Sequence, residues 1–377
     1  MRLNKTKNDC CGCGACSVAC PVRAITMKPD EEGFLYPSID EKICIDCGLC
    51  ERVCSFCDDY ARADGQNGSQ YYAFVHKDSG VRKSSRSGGA FFALASATLA
   101  RGGVVYGVAL DDSFEAKHIR VDSVDSIKLL QGSKYVQSDK ADSFKGVKED
   151  LEKGFEVLFS GTGCEVSGLI SYLQKAKVDM SGLCTCDIVC HGVPSPLLWK
   201  ENIEQIKKKL GGEIDEVSFR DKRFGWSAHI ESYRRGKKTI FSNVYSTMFC
   251  HNLSLRPSCA NCHFCNYDRS GDITIADFWG SEKIELPMDR AHGVSLLMVH
   301  TDKGREIVRE AQADICAVEV EKEQTEQPNL VRPSTLPPER ASFWKNHNAL
   351  GYKRTVRKYY SVVDRAKLVY NRLLRRG

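Results

Sequence analysis

The chain predicts a small α+β metal-binding module followed by a larger α/β domain with a mixed sheet, and three observations predict it. The first is a duplicated cysteine spacing: Cys10-x2-Cys13-x2-Cys16-x3-Cys20 followed by Pro21, and Cys44-x2-Cys47-x2-Cys50-x3-Cys54 followed by Ser55. The second is a polar, glycine-rich stretch, Ala61 to Ser69, that has almost nothing to bury and reads as a linker. The third is a change of periodicity behind it, where strand-like runs meet helical runs at glycine turns. The expected organisation is a cysteine module over 1–60, a linker over 61–69, a large domain over 70–345 and a basic helical tail over 346–377.

The cysteine runs have the spacing of bacterial two-cluster ferredoxins. Three thiolates of a run hold one [4Fe–4S] cube and the fourth crosses to the other. Cys10, Cys13, Cys16 and Cys54 are therefore expected on one cube, and Cys44, Cys47, Cys50 and Cys20 on the second. Pro21 fits this pattern because it stops the short turn from continuing as a helix; Ser55 departs from it. A disulfide framework needs a secreted chain, and residues 1–25 show no apolar stretch behind a basic start. Zinc knuckles use C-x2-C but not two four-cysteine runs of this form. Cys11 and Cys57 stand outside the spacing and read as spare thiols. A module of about 60 residues buries little apolar surface, so it is expected to draw much of its stability from thiolate–iron bonds.

Composition narrows the remaining classes. A formal charge of +5 over 377 residues gives no global field for nucleic acid. The longest apolar runs, such as Gly102 to Leu110, fall far short of a transmembrane segment. Nineteen cysteines without an export signal lead to the expectation of a reducing, cytoplasmic setting.

In the large domain, Tyr71 to Val75 reads as a strand, Ala90 to Ala100 as a helix and Gly103 to Leu110 as a buried strand, a βαβ-like unit. Ser87, Gly88 and Gly89 stand at the helix start, where free N–H groups and the dipole favour an anion. The competing reading is an N-cap and turn. A second corner, Phe155 to Cys164, runs a strand into Gly161-Thr162-Gly163 and then a helix over Glu165 to Gln174; its spacing is not that of a dinucleotide fingerprint. Ser133, Lys134 and Tyr135 bring hydroxyls, a cation and a flat ring into one stretch, suited to an isoalloxazine or a phosphate; the alternative is an ordinary surface loop. Cys164, Cys190, Cys259 and Cys262, from three segments, could close around a third cube. Cys265 is a substitute ligand, and structural zinc on Cys259, Cys262 and Cys265 is the rival.

Arg86-Ser-Gly-Gly89, Gly132-Ser-Lys-Tyr135, Ser160-Gly-Thr-Gly-Cys164, Cys190-His-Gly192, Phe219-Arg-Asp-Lys222 with Gly225-Trp226, and Gly271 to Gly280 occur in order. This string resembles the beta-subunit family of coenzyme F420 hydrogenases and dehydrogenases with a fused ferredoxin module in front, over roughly residues 1–345. The resemblance implies a flavin-binding α/β domain, with FAD near Ser87, Gly88, Gly89, Ser133, Lys134, Tyr135, Gly161, Thr162 and Gly163. It implies a third [4Fe–4S] cluster on Cys164, Cys190, Cys259 and Cys262. Glu165 departs from the glutamine of many relatives and places a negative charge at that corner. His191, between Cys190 and Gly192, is a candidate proton donor or a residue that fixes the turn.

The resulting expectation is an iron–sulfur flavoprotein oxidoreductase exchanging electrons with an organic hydride carrier, coenzyme F420 or another. A non-catalytic electron-transfer subunit docking on a partner enzyme is the alternative; fused relatives occur beside polysaccharide-assembly genes. An assembly protein with structural clusters is the third. Arg220, Lys222 and Arg223 read either as a solvated loop or as partners of an acidic cofactor tail. From Gly351 to Gly377, Asp364 is the sole acidic residue in a run rich in lysine and arginine. That run reads as a helix packed on its own domain, or as a peripheral contact with anionic lipid or an acidic partner.

Overall fold

The computed structural model describes residues 3, 5–56, 68–140 and 142–373. Cys57 and the expected linker up to residue 67 lie outside the described residues.

Each cysteine run turns on a glycine. Gly14 and Gly48 take φ of 82° and 69° and precede the short helices Ala15–Ala19 and Leu49–Arg52. Both occupy the same place, directly after the second cysteine of a run. A left-handed residue redirects the chain there, and glycine adopts it without a Cβ penalty. Between the runs, β1 (Ile25–Pro29) and β2 (Leu35–Ile39) pair antiparallel, with Ile25 opposite Ile39.

Among the described residues the large domain is built on a main sheet of eight strands. β3 (Gln70–His76), β4 (Val104–Leu110), β5 (Ala116–Val121), β6 (Val157–Thr162) and β7 (Leu183–Ile188) come first. β8 (Glu216–Ser218), β9 (Glu231–Arg235) and β10 (Lys238–Ser242) form a separate antiparallel sheet. β11 (Ile273–Asp277), β12 (Ser295–Val299) and β13 (Ile315–Glu319) complete the main sheet, in the order β13-β3-β12-β11-β7-β6-β4-β5. β4, β6, β7 and β11 run parallel, while β5, β12 and β13 pair antiparallel with their neighbours, so the sheet is mixed. The expected strand, helix and strand are present as elements, but β3 and β4 are not neighbours: β12, β11, β7 and β6 lie between them.

Side chains alternate across this sheet, as the two-residue strand period requires. Val105, Leu158 and Cys186 join a core with the helix Ala90–Ala100. Val104, Tyr106, Val157 and Phe159 join another with Val166, Leu169 and Leu173 of the helix Gly163–Lys175. The second core also contains Cys13, Ala15, Cys16, Ile25 and Val53. The cysteine module thus shares a core with the large domain. Burial of each large apolar side chain contributes about 1.5–3 kcal/mol, and a module short of core gains that from its neighbour. Gly168 marks the contact: a Cβ there would stand 2.8 Å from the Cys13 sulfur.

The helix Glu339–Tyr359 runs through the expected boundary at 345. Its Phe343, Trp344, Tyr352 and Val356 pack into a third core around Trp199.

Candidate iron–sulfur sites

One cavity is lined by Cys20, Cys44, Cys47 and Cys50, the crossover set that spacing alone assigned to the second cube. Pro21, Ala24, Ile25, Ile39 and Leu49 add apolar wall. The Ala24 N–H donates to the Cys20 sulfur at 3.2 Å. The cavity lies at the surface: Cys47 is exposed, as are Val22 and Ile45 of its wall.

For the first cube, Cys16 lies within electrostatic reach of Cys10, Cys54 and Cys50. Burial pushes the Cys16 thiol up, so its thiolate needs a cation to form. Beside Cys10 stands a residue the sequence did not single out. Arg256 is fully buried. It donates to Cys10 O at 2.7 Å, Leu35 O at 3.0 Å and Gln137 Oε1 at 2.8 Å, and its Nη2 lies 3.6 Å from the Cys10 sulfur. Its guanidinium lies over the Tyr36 ring at 4.1 Å. Gln137 in turn donates to Cys11 O at 2.9 Å. In sequence Arg256 is only a basic residue three positions before Cys259, which says nothing about burial.

The second cavity collects Cys164, Cys190, Cys259 and Cys262 with Cys265 and Cys11. Its position follows from the topology. Cys164 comes just after β6 and Cys190 just after β7, at their carboxyl ends, and the Cys259–Cys265 loop, which precedes the parallel strand β11, is held against those ends by Arg269 at Asp187 and Ile188. The carboxyl ends of adjacent parallel strands are where open α/β sheets gather ligands. Gly192, at φ 140°, lets the Cys190 loop pass Leu255 and Cys259. The Val193 N–H donates to the Cys259 sulfur at 3.4 Å, and Thr162 Oγ1 stands 3.2 Å from that of Cys164. Desolvation raises the Cys190 and Cys259 thiols, Cys259 to about 12. Alongside, Arg269 pairs with Asp187 at 3.2 Å and donates to Ile188 O at 2.9 Å, tying the cysteine loop to β7.

Each cavity presents the four cysteines that a cube takes, and the second adds Cys11 and Cys265.

Glu165 does not face this cavity as a free charge. Burial alone would raise its pKa, but the Lys140 ammonium at 2.8 Å, His118 and the Thr162 N–H hold it at about 2. The carboxylate also closes a capping box with Thr162 at the start of the helix Gly163–Lys175. His191 lines the cavity with both ring nitrogens engaged, Nε2 with Asn252 Oδ1 at 2.7 Å and Nδ1 with Ser334 Oγ at 3.3 Å. That arrangement favours holding the turn.

Residues 155–325 match the C-terminal part of the coenzyme F420 hydrogenase/dehydrogenase beta subunit, and residues 9–56 match the 4Fe-4S dicluster domain. Over those residues the chain is similar to the C-terminal part of the F420 beta subunit, behind a region that matches a 4Fe-4S dicluster domain. A curated relative, one of the subunits of the F(420)H(2) dehydrogenase of Methanosarcina mazei, is 22% identical over 165 residues. The match spans 41% of this chain and 46% of the relative, less than half its length. A chain of the F420-reducing [NiFe] hydrogenase complex from Methanosarcina barkeri superposes with a TM-score of 0.47 at 16% identity, over 78% of this chain and 91% of that one.

Three of the glycines expected near FAD are closed in by protein atoms. A Cβ on Gly88 would stand 2.1 Å from Phe74 O, and the Gly88 N–H already donates to Ser295 Oγ at 2.9 Å. A Cβ on Gly161 would meet Glu165, and one on Gly163 would meet Phe264. Lys134 donates to Leu129 O and Gln131 O in its own turn. Tyr135 and Ser87 do converge with polar groups. Tyr135 accepts from Arg86 at 3.1 Å and Arg220 at 3.3 Å, Arg86 pairs with Asp277 at 2.5 Å, and Lys222 donates to Ser87 O at 3.2 Å. These cations have protein partners, so Arg220 and Lys222 are neither a solvated loop nor an open phosphate clamp; Arg223 is exposed and pairs with Asp221. Gly88, Gly161 and Gly163 thus make room for protein atoms, whereas Gly132, at φ 76°, has open space where a Cβ would stand.

Proposed function

We propose that the chain is an iron–sulfur oxidoreductase that moves electrons between two N-terminal [4Fe–4S] clusters, a third on Cys164, Cys190, Cys259 and Cys262, and an organic hydride carrier of the F420 type or another acceptor. One observation carries it: four thiols from three distant segments meet at the carboxyl edge of the parallel strands, beside Cys11 and Arg256, which also touches Cys10. Bound cubes supply one-electron transfer and a flavin exchanges hydride with single electrons. The chain's own residues set the geometry: Arg256 and Gln137 fix the Cys10–Cys11 segment against the third site, Arg269 fixes the cysteine loop, and apolar walls exclude water. FAD rests on the family resemblance and not on the glycines.

Purification without oxygen, with iron, sulfide, zinc and released flavin measured per chain, tests this reading. About twelve iron atoms, the sum for three four-iron cubes, is the expected result. About eight iron atoms, or zinc in the third site, overturns the third centre. One FAD per chain supports the flavoenzyme. Without it a second reading holds, that of a non-catalytic electron-transfer subunit docked on a partner enzyme. The observation favouring that reading is the surface position of the Cys47 site, rimmed by exposed Val22 and Ile45, with exposed Ile43 next to Cys44.

A further inference from the structure

The helix Val362–Leu373 has an arrangement that packing on its own domain does not explain. At 100° per residue, Asp364, Leu368 and Asn371 share one side. That side faces the protein: Asp364 is 4% exposed, its backbone O accepts from Asn243 Nδ2 at 2.9 Å, and Leu368 and Asn371 are half-buried. The opposite arc carries Val362, Val363, Ala366, Val369 and Tyr370, all exposed, Val362 by 82%. Arg365 borders this arc on one side and Lys367 on the other, both exposed. The preceding turns add exposed Lys353, Arg354, Arg357 and Lys358. The one carboxylate of the region, Asp364, is bonded to Ser361 and lies 3.7 Å from His251 and 3.9 Å from the Lys367 ammonium, a loose contact that leaves Lys367 exposed.

An apolar arc flanked by cations on both edges, with the remaining side anchored to a folded body, is the form of a helix that lies in a membrane interface. An acidic protein would satisfy the cations but would not call for a valine-rich face between them. A second copy of the chain would have to bring equally basic helices together. An anionic bilayer satisfies both features, since acyl chains take the valines while headgroups pair with the arginines and lysines. From this we infer that the helix Val362–Leu373 docks the protein on an anionic lipid surface. The inference does not depend on the cluster assignments. No helix of the described residues is long and apolar enough to cross a membrane, so the contact is peripheral.

The test is flotation of the full chain with phosphatidylcholine vesicles, with and without phosphatidylserine. The wild type is expected to float with the anionic vesicles alone and to be released by high salt. Arg365→Gln with Lys367→Gln should weaken partitioning roughly thirtyfold. Val362→Asp with Val369→Asp should abolish it, with iron content and far-ultraviolet spectrum unchanged because both side chains are exposed. Equal binding to neutral vesicles, no binding to either, or full retention by the aspartate pair overturns the inference. So does a dimer in light scattering that the aspartate pair dissolves.

Discussion

The two thiol-lined cavities are built in opposite ways. The Cys47 cavity draws its thiols from two short runs, both wound on left-handed glycines, and opens to the surface. The Cys259 cavity draws its thiols from three segments brought together by the sheet, and is backed by a buried ion pair and a buried guanidinium. Local chain geometry makes the first; long-range topology makes the second. The first is therefore suited to meeting another redox protein, and the second to keeping water from whatever it holds.

The largest expected effect separates them by metal. Cys47→Ser should remove one N-terminal cluster, about four iron atoms, and leave the third site loaded. Cys259→Ser should remove the third cluster and leave N-terminal iron. If either substitution left iron per chain unchanged, that ligand assignment would fail.

Arg256→Met should come next. It leaves Cys10 O, Leu35 O and Gln137 without their donor, and thermal or denaturant unfolding should show a loss of about 3 kcal/mol. A loss below about 1 kcal/mol, the scale of surface changes, would mean that the guanidinium does not join the two halves. Gly168→Ala tests the same junction from the other side. Its Cβ would press on the Cys13 sulfur, so overpacking should cost about 1–3 kcal/mol and disturb the spectrum of the N-terminal clusters while sparing the third. The smallest effect is expected for Cys11→Ser. Cys11 lines the second cavity but lies outside every expected ligand set, so iron content should not change. Loss of the third cluster would make Cys11 a ligand.

A remote control sharpens these readings. Glu231 is buried with serines as its partners, Ser246 and Ser242, and burial pushes its carboxyl up to about 8 against their hydrogen bonds. Its folded pKa lies above the unfolded value of about 4.3, so stability is full below that value and falls as pH rises towards 8. Glu231→Gln should remove a slope approaching about 1.4 kcal/mol per pH unit in that window, with no effect on iron.

How much of this was legible in the sequence follows from the same contrast. Cys20 and its three partners could be assigned because thiolate spacing along a short run dictates which way each sulfur points. Cys164, Cys190 and Cys259 could be grouped only because glycine turns and a strand pattern placed them at related corners. The shared core could not be read, since Cys13, Ala15 and Cys16 look like a ligand segment and not like an apolar face. The glycines are ambiguous for a specific reason: Gly88 and Gly163 make room for Phe74 O and Phe264. Room for a protein atom looks the same in sequence as room for a phosphate. Glu165 looked like a free charge because its cation, Lys140, lies on a different segment.

Arg256 has a consequence for how the protein matures. A buried cation wants an anion, and its nearest candidate, the Cys10 sulfur, is a thiolate when it binds iron. Before metal arrives the guanidinium has carbonyls, an amide and an aromatic ring, but no counter-charge among these contacts. Iron delivery to the first run would therefore tighten a strap whose other end is the loop of the third site. A chain starved of iron would be loose in both places at once, and so marked for proteolysis as a unit.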